Sequence, residues 1–324
     1  MRYIIYGAGA IGGVIGANLH LAGKDVVYIA RGGHLEHMRR QGLTLLSPNG
    51  RQTLKVVAAG HPSEITYREG DAVILAMKGQ DTVAALEALR DAAGSGVPVI
   101  CTQTGVVNER FALRRFEHVY AMVVMLPATH MEPGIVQQDS APTAGILDSG
   151  VYPGGVDDFI SGVCNDLEQS NFSAKPDPKV MRYKYTKLIM NLGNAVQVVC
   201  GADADGKDVV ARARAEAIAC YNAASIDFAT DDEFFGRRGN FITVKPVEGG
   251  ARVGSSSWQS VERGTGSVEA DYLNGEIALL GRLHGVPTPV NRALQDLANQ
   301  VARSGKKPGI MSPDALLAMI DAAG

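Results

Sequence analysis

The sequence is poor in cysteine and aromatic residues, has no long apolar run and favours neither sign of charge. Its four cysteines, Cys101, Cys164, Cys200 and Cys220, lie far apart and form no C-x-x-C, which excludes a dithiol redox motif and a thiolate metal site. Reduced, mostly buried thiols are expected. His34 and His37 stand three apart without a third ligand nearby, so no metal is expected. No apolar stretch approaches the roughly 18 residues of a bilayer-spanning helix. The start, Met1-Arg2-Tyr3-Ile4-Ile5-Tyr6, runs into glycines and not into a cleavable leader, so a cytoplasmic protein is expected. Lys+Arg 31 against Asp+Glu 34, with no block of like charge, argues against nucleic acid or a membrane surface as partner. What the chain does have is glycine, 38 of 324 residues, and a length that suits two domains.

The first half alternates short apolar runs with helix-length segments. Strands are predicted at Tyr3–Tyr6, Asp25–Ala30, Ala72–Ala76, Val97–Cys101 and Val119–Met125. Helices are predicted near Ala10–Ala22, Gly33–Gln41, Thr82–Ala92 and Val107–Phe116. The strands are continuously apolar, as in a parallel sheet covered on both faces, and the alternation predicts a doubly wound α/β domain. Gly134–Val136 and Thr143–Leu147 suggest an antiparallel extension, and a helix near Asp157–Gln169 closes the domain. Ser173-Ala174-Lys175-Pro176-Asp177-Pro178 reads as the linker, which divides the chain into 1–175 and 176–324. Beyond it, Tyr183–Val199, Val209–Ala229, Ser267–Leu283, Asn291–Arg303 and Pro313–Ala323 carry helical spacing, the last with Ser312 as its cap. Gly236–Ser257 reads as a long loop, suited to lid motion. An all-helical second domain is therefore expected.

Gly7-Ala8-Gly9-Ala10-Ile11-Gly12 follows the first strand and opens a helix. Gly7 permits the turn, Gly9 lets a pyrophosphate approach, and Gly12 lets helix and strand pack closely, so a Rossmann-type dinucleotide site is predicted. The second strand ends in Arg31, where an NAD site usually places a carboxylate. A guanidinium there suits a 2′-phosphate, and NADP(H) is expected over NAD(H). In the helix after the linker, Lys187, Asn191 and Asn194 share one face, given 3.6 residues per turn. Amides and an ammonium so placed suit an oxo-acid, whose carbonyl oxygen gains charge on hydride reduction. Lys184, one turn earlier, offers itself as a comparison for Lys187.

The glycine loop, Lys187-Leu188-x-x-Asn191, Ser255-Ser256-Ser257, Glu269-Ala270-Asp271-Tyr272-Leu273-Asn274-Gly275 and His284-Gly285-Val286-Pro287-Thr288-Pro289 together resemble the ketopantoate reductase (2-dehydropantoate 2-reductase) family. The resemblance implies a Rossmann domain followed by a helical domain of the 6-phosphogluconate dehydrogenase C-terminal type, with NADPH in the cleft. By position it implies that Lys187 is the catalytic acid and that Asn191 and Ser257 bind substrate. Glu269 matches the carboxylate that contacts the cofactor ribose and supports catalysis, and Lys78 matches a lysine near the cofactor phosphates.

Three positions depart from the family pattern. Its Q-N-G-x-G reads Gln103-Thr104-Gly105-Val106-Val107, so Thr104 takes over a place beside both nicotinamide and substrate. The second substrate asparagine is Ala195, with Asn194 one residue earlier. S-M-x-x-D reads Ser257-Trp258-Gln259-Ser260-Val261. Reduction of a small-molecule 2-oxo acid, nominally ketopantoate, is the expected function, with closure of the two domains around it. Another 2-oxo acid, the reverse oxidation, or an NADP(H)-binding sensor are the alternatives, and a homodimer is left open.

Overall fold

A computed structural model describes residues 1–248, 250 and 253–323. The order β1 (Arg2–Tyr6), α1 (Ala10–Leu21), β2 (Asp25–Ile29), α2 (Gly32–Gln41) opens the chain. A hairpin of β3 (Leu43–Ser47) and β4 (Gly50–Leu54) follows, then β5 (Val57–Ala59), β6 (Asp71–Leu75) and α3 (Thr82–Ala93). Next come β7 (Val99–Cys101), α4 (Asn108–Leu113) and β8 (Val119–Met122). Short strands β9 (Ala128–Thr129), β10 (Ile135–Gln138), β11 (Ser140–Pro142), β12 (Gly145–Ile146) and β13 (Ser149–Val151) lead to α5 (Asp158–Glu168) and β14 (Phe172–Ser173).

The main sheet has the order β13-β8-β7-β6-β1-β2-β5, parallel except for β13. Its strands bury both faces: Tyr3 and Ile5 join one cluster with Val14, Ile15 and Ile160, while Ile4 joins another with Val73, Leu86 and Leu89. That double burial is why they read as unbroken apolar runs. The antiparallel edge of the main sheet is β13. The two segments expected as an antiparallel extension do pair antiparallel, but outside that sheet. β10 pairs with β9 in a second sheet of order β4-β3-β10-β9, where it also lies parallel to β3. Ile146 of β12 bridges Met125 antiparallel, while β12 lies parallel to β14.

The remaining elements are α6 (Val180–Asn191), α7 (Gly193–Cys200), α8 (Lys207–Ala223), α9 (Asp231–Arg238), β15 (Ile242–Val244), α10 (Ser256–Glu262), α11 (Asn274–His284), α12 (Pro289–Ser304) and α13 (Pro313–Ala323). Ser312 caps α13 as expected, its Oγ accepting from Ala315 N–H at 3.2 Å. The chain forms two compact units, Met1–Lys184 with Asp231–Arg252, and Tyr185–Thr230 with Val253–Gly324. The division falls within α6 and not at residue 175.

Asp231–Arg252 returns to the first unit for identifiable reasons. The Arg237 guanidinium forks onto Asp148 with two 2.6 Å bonds, both side chains nearly buried. β15 pairs antiparallel with β11, and Arg51 grips Glu248. The segment expected as a long loop from Gly236 to Ser257 is therefore anchored as far as Glu248, and this part is not a free lid. Gly249, Ala251 and Arg252 lie outside the described residues.

Candidate functional site

In the first unit, the expected cofactor residues follow the C-terminal ends of four adjacent strands, β7, β6, β1 and β2. This is the edge where open α/β sheets bind ligands. Gly7 follows β1 with φ +101°, a conformation that glycine alone adopts cheaply, and a Cβ there would meet Met77 N at 2.7 Å. A Cβ on Gly12 would run into Gly7 O and come within 2.8 Å of Ala76 Cβ. Those two glycines are required by packing. Gly9 is not: its φ is an ordinary −70°, and nothing lies within 4 Å of where its Cβ would be. The space over Gly9 and the free N–H groups of α1, including those of Ala10 and Ile11, fit a pyrophosphate.

His34 braces this loop from α2. Its Nε2–H donates to Ala8 O and its Nδ1 accepts from Gly134 N–H, each at 2.8 Å, which defines a neutral ring. Burial, then His130 with its ring centroid 4.4 Å away, pushes the His34 pKa down to about 4. The unfolded chain takes up this proton near 6.5 and the folded chain refuses it until about 4. Stability present above pH 6.5 is therefore lost as the pH falls through that window. Discounted for partial exposure, the loss is about 1–3 kcal/mol. Urea unfolding at pH 7 and pH 4.5 should show it, and His34→Gln should remove most of the difference. An identical pH dependence in the variant would refute the assignment.

Arg31 closes β2 and is 86% exposed, with its Nη2 3.2 Å from Asp81 Oδ2. The partner of Arg31 thus comes from a part of the chain 50 positions away. Lys78, half-buried, opens the turn after β6. Thr104 is half-buried in the loop after β7. That loop rests on a buried relay: Gln103 Nε2 donates to Thr82 Oγ1 (3.2 Å), Thr82 Oγ1 to Asn108 Oδ1 (2.8 Å), and Asn108 Nδ2 to Gly105 O (2.7 Å). Beneath it, Lys184 Nζ donates to Glu109 Oε1 and to Cys101 O, with Lys184 and Glu109 side chains only 1% and 0% exposed. Lys184 is therefore a buried anchor and cannot serve as the comparison for Lys187. The sequence spacing missed it because its partner is 75 positions away.

In the second unit, Lys187 is half-buried on α6. The helix expected from Tyr183 to Val199 is interrupted: Asn191 ends α6, Leu192 is a turn, and Asn194 belongs to α7. The face expected for Lys187, Asn191 and Asn194 thus spans two helices, although Leu192 between them keeps helical backbone angles of φ −60° and ψ −30°. Ala195 is buried. The break is held by a residue from the E-x-D-Y-x-N-G motif, since Asn274 Nδ2 donates to Leu192 O (3.3 Å) and to Asn291 Oδ1 (3.0 Å). Asn291 in turn donates to Ala213 O and Glu216. Asn274 is therefore a structural support for the end of α6.

Ser257 is buried in the first turn of α10. Ser255 caps that helix, and its N–H donates to Gln197 Oε1 on α7 at 2.7 Å. This tie brings the start of α10 to α7. Glu269, half-buried, opens a 3₁₀ turn that is fixed to α12 by Gln295 and Asn299, both donating to Asp271 Oδ1. Among the described residues no cluster of His, Cys, Asp and Glu could hold a metal, and no helix is long and apolar enough to cross a membrane.

Comparison with known proteins agrees with this layout. The family model described as "Ketopantoate reductase PanE/ApbA" matches residues 3–147, and its C-terminal counterpart matches 179–302. The 2-dehydropantoate 2-reductase of Pyrococcus horikoshii is 26% identical over 301 residues, 90% of this chain and 94% of the relative. A PanE/ApbA family ketopantoate reductase from Ralstonia eutropha superposes with a TM-score of 0.76 at 26% identity, covering 94% of this chain and 99% of that one. A D-mandelate dehydrogenase structure, solved with NADH and anilino(oxo)acetate, superposes with a TM-score of 0.80 at 22% identity over 94% and 99% of the two chains. At that identity it speaks for the fold alone.

Proposed function

The chain belongs to the ketopantoate reductase family, and from that premise we propose that it reduces a 2-oxo acid to the 2-hydroxy acid with NADPH. The observation that carries the reading is the contrast within the glycine loop. Gly7 and Gly12 are demanded by packing, whereas Gly9 is demanded by nothing in the protein and leaves room for a ligand. When bound there, the dinucleotide supplies the hydride.

In this proposal Lys78 and the α1 N-terminus hold the phosphates, Arg31 takes the 2′-phosphate, and Glu269 contacts the cofactor ribose. Asn191, Asn194 and Ser257 orient the substrate carboxylate and hydroxyl oxygens, and Thr104 borders nicotinamide and substrate. As the carbonyl carbon receives hydride, the Lys187 ammonium stabilises the oxygen and gives it a proton, then regains one from water.

Ketopantoate is the first substrate to test. Ala195 and Thr104 each remove a family amide, and Trp258 brings an aromatic ring next to Ser257 in sequence, which favours a bulkier 2-oxo acid as the second reading. A panel of 2-oxo acids followed by NADPH absorbance decides between them, and no turnover with any member would overturn both.

Gly9→Ala tests the cofactor half alone. The cap cost should stay below about 1 kcal/mol, so the melting temperature barely moves. Dinucleotide affinity should nevertheless fall at least about tenfold, or ~1.4 kcal/mol. Unchanged affinity would remove the pyrophosphate from this loop.

A further inference from the structure

Asp81 stands at the N-cap of α3, where an aspartate ordinarily accepts a hydrogen bond from the first turn of its own helix. Its side chain makes no such bond. The carboxylate instead faces Arg31, 50 positions earlier, at 3.2 Å. Both groups lie in the first unit, beyond the ends of β2 and β6, which flank β1 in the sheet. With 86% of the Arg31 side chain exposed, Asp81 is a fixed anion beside the cation that a 2′-phosphate would need.

We infer that Asp81 sets the cofactor selectivity of this protein by competing with the 2′-phosphate for the Arg31 guanidinium. The inference rests on the proposal that Arg31 reads that phosphate. In the free protein the guanidinium is already engaged, so an arriving phosphate must displace a carboxylate or share the cation with it. NADH brings no such anion and is not subject to the competition. The pair thereby narrows the gap between NADPH and NADH that Arg31 alone would open. Because the Asp81 side chain makes no capping bond to α3, Asp81→Asn removes the charge with little effect on that helix.

The test is calorimetric titration of NADPH and of NADH into the full chain, in four proteins: parent, Asp81→Asn, Arg31→Ala and the double variant. Asp81→Asn should tighten NADPH about two- to fivefold, the range for releasing an exposed ion pair, and leave NADH within about twofold. The NADPH gain should shrink at high salt and vanish in the Arg31→Ala background. An equal shift for both nucleotides, no shift, or a gain that survives Arg31→Ala would each overturn the competition. If Arg31→Ala leaves the NADPH to NADH ratio of the parent unchanged, the 2′-phosphate reading itself fails, and the inference with it.

Discussion

Lys187→Ala should lower kcat by about two to four orders of magnitude, the usual contribution of a positioned general acid, while NADPH affinity stays almost unchanged. In the proposed reaction the ammonium acts on charge that appears only as hydride arrives. Its loss should therefore reduce kcat and kcat/KM together and should not simply raise KM. Lys187→Arg separates the two roles, because a guanidinium keeps the charge but does not release its proton near neutral pH. An intermediate rate for arginine assigns part of the effect to charge and the rest to proton transfer. The comparison lysine is Lys179, exposed just before α6. Loss of less than about fivefold in Lys187→Ala would place the acid elsewhere.

The parts of this protein that its sequence makes legible are those set by local pattern. β1, α1, β2 and β6 fall within a residue or two of the predicted segments because burial on both sheet faces leaves an unbroken apolar signature. The hairpin of β3 and β4 was not predicted: Gly50–Thr53 is exposed and polar, so it carries no core-facing alternation. The return of Asp231–Arg252 to the first unit was equally hidden, since its composition is that of a loop and its anchors, Asp148 and β11, are far away in sequence.

The candidate site divides in the same way. Gly7, Gly9 and Gly12 form a spaced motif and Arg31 follows a strand end, so local pattern points to them, while the roles expected of Lys187 and Glu269 come from the family resemblance. The contacts that hold or oppose them are not local: Asp81 meets Arg31, His34 braces Ala8, Asn274 secures Leu192, and Glu109 buries Lys184. Each of those contacts joins residues at least 26 positions apart, a separation that periodicity does not encode. The break between α6 and α7 is likewise invisible locally, because Leu192 keeps helical backbone angles and only its hydrogen bonding changes.

The largest stability effect is expected at Lys184, and it follows from burial. Lys184→Met removes the ammonium and leaves the fully buried Glu109 carboxylate without its lysine partner. Breaking one side of such a pair costs about 3–5 kcal/mol. Glu109 has little room to recover, since its Oε2 already lacks a hydrogen-bond partner among the described residues. Cys101 O loses a donor as well. The double variant Lys184→Met, Glu109→Met should be more stable than Lys184→Met alone, because two apolar side chains owe no desolvation cost. Tryptophan fluorescence is the wrong probe: the only tryptophan, Trp258, belongs to the second unit. Hydrogen exchange of amides in β7 and α4 reads the affected region directly. Those amides should lose protection in the single variant and regain much of it in the double one. If the single variant is as protected as the parent, Lys184 carries no structural charge pair and the anchor beneath the Gln103–Asn108 loop must be sought elsewhere.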